Sequence, residues 1–279
     1  MAGFFPFDDF LTFGSNNDQM QNRPYTYLFY IQYLGLRYSG WQRQKGVKTI
    51  QGSLERGLRF VLGHEDFNIL GASRTDSGVS CREGAFELFL KEALLIPDFI
   101  QKVNQNLPTD IRIIRMQPVS PSFNIIQDVV SKSYTYNFLF GEKPDPFQNP
   151  VAAFFPGYPD LQLMQKGVKL FQGKHDFKRF CSVDKVTENY IREIYSSEVI
   201  LDKSFDHEEG PYIKVIFRVS GKGFLRYQVR IMAGALADLG LGRLGFSELE
   251  ESLRVPEGKP LAIAAPACGL TLDQVNFSF

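Results

Sequence analysis

Between Tyr25 and Met116 the apolar residues change their period from two to about 3.6 and back, in an order that few folds can accommodate. The aromatic and β-branched run 25–33 reads as a strand. Ile50, Leu54, Leu58, Val61 and Leu62 fall on one helical stripe that Gly63 closes. Residues 67–70 and 85–90 read as strands on either side of a polar loop at 73–80. Pro97 opens a helix reaching about Asn106, and 111–116 is a further strand. Strand, helix, strand, strand, helix, strand is the split βαβ, ferredoxin-like order. A second, looser pass follows. It has strands at 134–140, 190–201, 212–220 and 270–277, and helices at 161–171, 224–239 and 246–253. The expectation is an α+β protein of two ferredoxin-like halves sharing an extended mixed, mainly antiparallel sheet with a central cleft. Residues 1–23 form a tail, 24–118 the first half and 119–279 the second.

Composition excludes several classes. No apolar run approaches the length of a membrane helix, so no membrane span is expected. The aromatic N-terminus has no early Lys or Arg and is broken by Asp8 and Asp9, which does not fit a secretory signal. Cys81, Cys181 and Cys268 are odd in number and far apart, fitting neither a disulfide framework nor a metal spacing. A reducing, cytoplasmic location is the expectation. Thirty-one basic residues balance 31 acidic ones, so a nucleic-acid partner would have to be held by a local basic patch.

The segment Ser73-Arg74-Thr75-Asp76-Ser77-Gly78-Val79 carries the chemistry we single out. An aspartate on a short loop between two strands can face a cleft while the strand ends hold it in place. By itself Arg-Thr-Asp is ordinary turn chemistry. Four other blocks give it context: Tyr38 to Gln44, Lys132 to Tyr136, Phe224 to Arg230, and Ala265 to Leu270. Arg230 lies in an apolar helical stretch, where a cation is costly unless paired, so a buried ion pair is expected there. Tyr134 alternates with Tyr136 on a strand, and either could be core; Leu270 reads as core by default. Trp41, among Arg37, Arg43, Lys45 and Lys48, reads either as packing or as the platform of an RNA-facing loop.

These five blocks, in this order, resemble the TruA family of tRNA pseudouridine synthases from about Tyr25 to the C-terminus. The resemblance implies that Asp76 is the catalytic aspartate and Arg74 the arginine that helps flip the target nucleotide out. It implies that Tyr134 stacks on the flipped base, Arg230 pairs with the carboxylate and Leu270 lines the pocket. Arg43 and Lys132 become candidate RNA contacts. The implied activity is isomerisation of tRNA uridines, around positions 38–40 of the anticodon stem-loop, by a homodimer. The chemistry needs neither metal nor cofactor, because no redox change or net hydrolysis occurs. One carboxylate can begin it by attacking the sugar, by adding to the base, or by abstracting a sugar proton. Paired with Arg230, that carboxylate is expected to have a lowered pKa.

The chain departs from the family at Ser73, Ser77 and Ser80 of the catalytic loop, at Leu34 of the first strand's Leu34-Gly35 ending, and at Asn124-Ile125-Ile126, where a His-Ala-Arg run is usual. The last change removes a phosphate contact, for which Arg226 and Tyr227 are candidate replacements. Two further patterns are set aside. The glycine pattern at 240–245 follows a helix instead of a strand, and His175-Asp176 has only His64 and His207 to complete a ligand set. Two rival readings are a silent RNA-binding module, which would be expected to lose Asp76 or its partner, and a nucleoside hydrolase, which usually needs several carboxylates or a metal.

Overall fold

The computed structural model describes residues 23–182, 189–203 and 211–279. Nearly all of the expected tail, and His207, lie outside these residues. The first half runs β1 (Tyr25–Tyr33), α1 (Ile50–Leu62), β2 (Phe67–Gly71), β3 (Ser80–Leu90), α2 (Phe99–Gln105) and β4 (Ile111–Pro118). The second runs β5 (Val129–Gly141), β6 (Ala153–Pro156), α3 (Leu161–Gly167), β7 (Gly173–Asp176), β8 (Ile191–Leu201), β9 (Tyr212–Gly221), α4 (Gln228–Gly240), α5 (Phe246–Ser252) and β10 (Leu270–Phe277).

The strands form one sheet in the order β4-β1-β3-β10-β5-β9-β8-β7, with β2 on β3 and β6 on β5. Both halves therefore repeat one plan: β4-β1-β3-β2 in the first and β10-β5-β9-β8 in the second. The expected two ferredoxin-like units on a mixed, mainly antiparallel sheet are what the chain folds into. Alternation explains the two faces. Tyr134, Tyr136, Phe138 and Phe140 of β5 turn to the helix side and pack in or against the second core, whereas Thr135 and Asn137 turn away. The first core runs from Leu28 to Val129 and takes in Leu272 and Val275 from β10. The second runs from Tyr136 to Leu270 and takes in Val79 from the Asp76 loop.

Several boundaries differ from the sequence reading. Strand β5 begins at Val129, because 129–133 pair with 274–277 of β10. Strands β6 and β7, of four residues each, were not expected; pairing with β5 and β8 makes them. The helix expected over 161–171 is α only to Gly167 and tightens to 3₁₀ from Val168. The helix expected from Phe224 begins at Gln228, since Tyr227 adopts a left-handed backbone conformation (φ 64°). Trp41 is 3% exposed and packs between Tyr33 and Phe86. Of the two readings open for it, packing holds: Trp41 is a core residue and not an RNA-facing platform.

The segment joining the halves places Ile125 in the N-terminal core, beside a buried carboxylate. Glu87 is 1% exposed and accepts the Ile125 backbone N–H. Burial pushes its pKa up to about 7, despite that hydrogen bond. A carboxyl raised on folding stabilises the fold fully below its unfolded pKa and loses that contribution as pH rises through 7. Glu87→Gln should therefore raise the melting temperature relative to wild type at about pH 8, with the gain vanishing by about pH 4. Thermal melts at the two pH values check this; a gain independent of pH contradicts it.

Candidate active site

The Asp76 loop sits where the two halves join. Strand β1 pairs along one edge of β3. The opposite edge is shared: β2 takes residues 86–90, and β10, running parallel, takes Ser80 and Cys81. Residues 72–79 must bridge the interval between them, so their placement follows from the sheet itself. The loop is fastened on three sides. Trp41 N–H donates to the Thr75 carbonyl (3.1 Å), Gly78 N–H donates to the Tyr38 carbonyl (3.1 Å), and the Tyr33 and Thr75 hydroxyls share a hydrogen bond (2.8 Å). Val79 is anchored in the second core.

Gly40 makes the close approach of the 35–48 segment possible. Its φ is +90°, and an added Cβ would stand 2.7 Å from the Thr75 carbonyl oxygen. Gly40→Ala should destabilise the fold by about 2 kcal/mol, read as a lowered urea midpoint. An unchanged midpoint would show that this approach does not constrain the loop.

The side chain of Asp76 is 23% exposed, and one carboxylate oxygen lies 3.5 Å from Nη1 of Arg230, which is 16% exposed. Arg230 comes from the first turn of α4 and is held by the chain before β10. Its Nε donates to the Ala265 carbonyl (2.8 Å), and its own carbonyl accepts the Ala265 N–H (2.9 Å). The Ala265–Leu270 block thus has a definite task. It also wraps Tyr136, whose hydroxyl donates to the Pro266 carbonyl (2.9 Å), and Gly269 leaves the room that the Tyr136 ring occupies.

Burial raises the Asp76 pKa, and the opposing effects of Arg230 and Arg226 reduce the rise without cancelling it. The expectation of a net lowering by Arg230 is therefore corrected: the guanidinium lowers the pKa, but burial of the loop outweighs it. Protonation of Asp76 will set an acid limb above the ordinary aspartate range in any rate that depends on the carboxylate.

The other singled-out residues divide. Tyr134 is half-buried, edge-on to Phe224 with ring centres 5.1 Å apart. Burial, then Cys81 and the Asp76 charge, push its phenol up. Leu270 is 5% exposed at the head of β10, in register with Tyr136. Arg74 is exposed and, among the described residues, has no hydrogen-bond or ion-pair partner. Lys132 is part-buried; its ammonium donates to the Ala72 carbonyl (2.7 Å) at the start of the Asp76 loop, and burial brings its pKa down to about 8. Arg43 is exposed and paired with Glu55 at 2.8 Å. Asp76 and Arg230 are thus brought together and Tyr134 lies near enough to feel the Asp76 charge, with Lys132 fastening the loop's first residue and Arg43 farther along the 35–48 segment.

Sequence reasoning did not anticipate Ala265 as the holder of Arg230, because backbone acceptors carry no residue-type signal. Among the described residues, no group of three His, Cys, Asp or Glu side chains could hold a metal. Two sizeable depressions lie elsewhere. One, about 390 Å³, is on the face turned away from Tyr136, between Thr135, Arg218 and Asp273. The other, about 750 Å³, runs beside α2 and β4. Neither includes Asp76, which opens at the seam itself.

A half-buried carboxylate, paired with a guanidinium at the junction of two ferredoxin-like halves, is an arrangement that general acid–base or nucleophilic chemistry can use. The comparisons narrow this class. The family sequence model described as tRNA pseudouridine synthase matches residues 168–278. The chain is similar to tRNA pseudouridine synthase A of Thermodesulfovibrio yellowstonii, 35% identical over 88% of this chain and 97% of that protein. It is also similar to tRNA pseudouridine synthase A 2 of Bacillus cereus, at 32% over 90% and 99%, and to tRNA pseudouridine synthase A of Pelobacter propionicus, at 33% over 88% and 97%. The chain belongs to the TruA family of tRNA pseudouridine synthases, which are isomerases. No described helix is long and apolar enough to cross a membrane.

Proposed function

We propose that this protein isomerises uridine to pseudouridine in the anticodon stem-loop of tRNA, around positions 38–40, with Asp76 as the nucleophile. The reaction breaks the bond from N1 to C1′, turns the base and joins C5 to C1′. The C5 proton leaves to solvent and N1 gains one. Attack at the sugar, addition to the base and abstraction of a sugar proton all start from the ionised carboxylate, so the same residues serve each route. The observation that carries this reading is the pairing of Asp76 with Arg230 across the seam. A target base must leave its stack to reach that seam. The cost is a few kcal/mol, which an inserted Arg74 and a Tyr134 stacking face would offset.

In this reading Arg230 orients the carboxylate, Leu270 closes the apolar side of the pocket, and Lys132 and Arg43 lie toward the RNA backbone. Residues 24–118 and 119–279 act as two lobes. The protein works in the cytoplasm as a homodimer, with one tRNA contacting both subunits. Incubation with tRNA tritiated at uridine C5, with chelator present, should release tritium. Chemical mapping should place the product in the anticodon arm. Release of free uracil would favour a hydrolase, and a product outside that arm would overturn the assigned target. Sedimentation at micromolar concentration should give twice the chain mass; a monomer would refute the dimer.

A further inference from the structure

Tyr227 is one of two described non-glycine residues with positive φ, and the only one at the site: φ is 64° and ψ 1° at the residue that opens α4. A bulky aromatic in this region is strained, and such strain persists only where the surroundings impose it. Here they do. Gln228 is fully buried, its side-chain oxygen accepts the Leu225 N–H (2.8 Å), and the Arg226 carbonyl accepts the Ser182 N–H (3.1 Å). Helix capping does not explain the tyrosine, because its side chain caps no backbone N–H. Its ring serves two cations instead. The Arg226 guanidinium carbon lies 5.0 Å from the ring centre and that of Arg230 lies 5.1 Å away. Both distances suit attraction to the π face. One turn of helix separates Tyr227 from Arg230, so the left-handed turn decides which way the ring faces the guanidinium that meets Asp76.

We infer that Tyr227 is a positioning residue, whose ring, presented by the left-handed turn, steers the Arg230 and Arg226 guanidinium groups toward Asp76. This inference rests on the proposed role of Asp76 for its consequence in catalysis, but not for its geometry. The hydroxyl contributes little, lying 3.5 Å from Arg226. Burial raises the Asp76 pKa, and the groups that oppose it are Arg230 from α4 and Arg226 from the turn before it, while Tyr134 from β5 feels the Asp76 charge.

The test reads the carboxylate directly, by carbon-13 titration of labelled aspartate with the Asp76 signal assigned from Asp76→Asn. Tyr227→Asn tolerates the left-handed backbone but removes the ring. Its Asp76 midpoint should move up by about half a pH unit or more, because burial is then less opposed. Its kcat should fall about tenfold with KM little changed, since orientation at the reacting centre is lost while RNA contacts remain. Tyr227→Phe should restore both the midpoint and kcat. A well-folded Tyr227→Asn with the wild-type midpoint overturns the inference, as does a Tyr227→Phe as impaired as Tyr227→Asn. If the midpoint moves as expected but wild-type protein releases no tritium from tRNA, the positioning role stands and the proposed function fails.

Discussion

Asp76→Asn should abolish uridine isomerisation, with the single-turnover rate down by at least about 10⁴-fold, while tRNA still binds with wild-type affinity. Asparagine keeps the shape of the side chain and can still face Arg230. It cannot attack carbon or hold a proton as a carboxylate does. The fold should tolerate the change. Asp76 is part-exposed, its loop is fastened through the backbones of Thr75, Asp76 and Gly78, and losing the ion pair is offset by no longer holding a charge in a half-buried place. Filter binding and rapid-quench kinetics separate the two effects. A variant that loses binding in parallel with rate would mean that Asp76 supports the RNA site instead of the chemistry.

The second large effect is expected at Arg230. Arg230→Leu should lower kcat by about 10²- to 10³-fold and move the acid limb of the rate profile upward. Burial already raises the Asp76 pKa against Arg230 and Arg226. With Arg230 gone, only Arg226 opposes it, the ionised fraction at a given pH drops, and the carboxylate loses its orienting partner. Arg230→Lys should recover only part of the rate. The ammonium would have to serve the Ala265 carbonyl and Asp76 from one nitrogen on a flexible stem, where the guanidinium holds them from two fixed positions, Nε and Nη1. Stability should fall by about 1 kcal/mol for the Ala265 hydrogen bond, and by more at neutral pH, where Asp76 is left charged without its partner. An Arg230→Leu enzyme with an unmoved acid limb would show that the pair does not control Asp76.

The doubled fold was legible because each half announces itself through local periodicity. Ile50, Leu54 and Leu58 write a helix, and the alternation from Tyr134 to Phe140 writes a strand, whatever the rest of the chain does. What could not be read was long-range pairing. Nothing local indicates that the last strand inserts parallel to β3 just beyond the end of β2, yet that insertion places the Asp76 loop at the seam. The four-residue strands β6 and β7 exist through their partners and have little pattern of their own. Trp41 was left open between packing and a surface platform because its neighbours are charged, and the packing of Tyr33 and Phe86 around it decides for burial. That Arg230 would pair with a carboxylate was legible from the cost of an arginine in an apolar helix, whereas Asp76 as that partner was what the family resemblance implied. The direction of the Asp76 pKa was not legible, because it depends on how much of the loop is buried. The left-handed Tyr227 was equally invisible, since a tyrosine gives no sequence signal for positive φ.

Under the proposed function, the carboxylate at the seam carries out an isomerisation. The most direct test is nucleoside analysis of tRNA after one turnover with excess protein in the presence of chelator. Pseudouridine replacing uridine mole for mole with the wild type, and unchanged uridine with Asp76→Asn, is the predicted result. Equal pseudouridine from both proteins, or uracil set free from the chain, would contradict it.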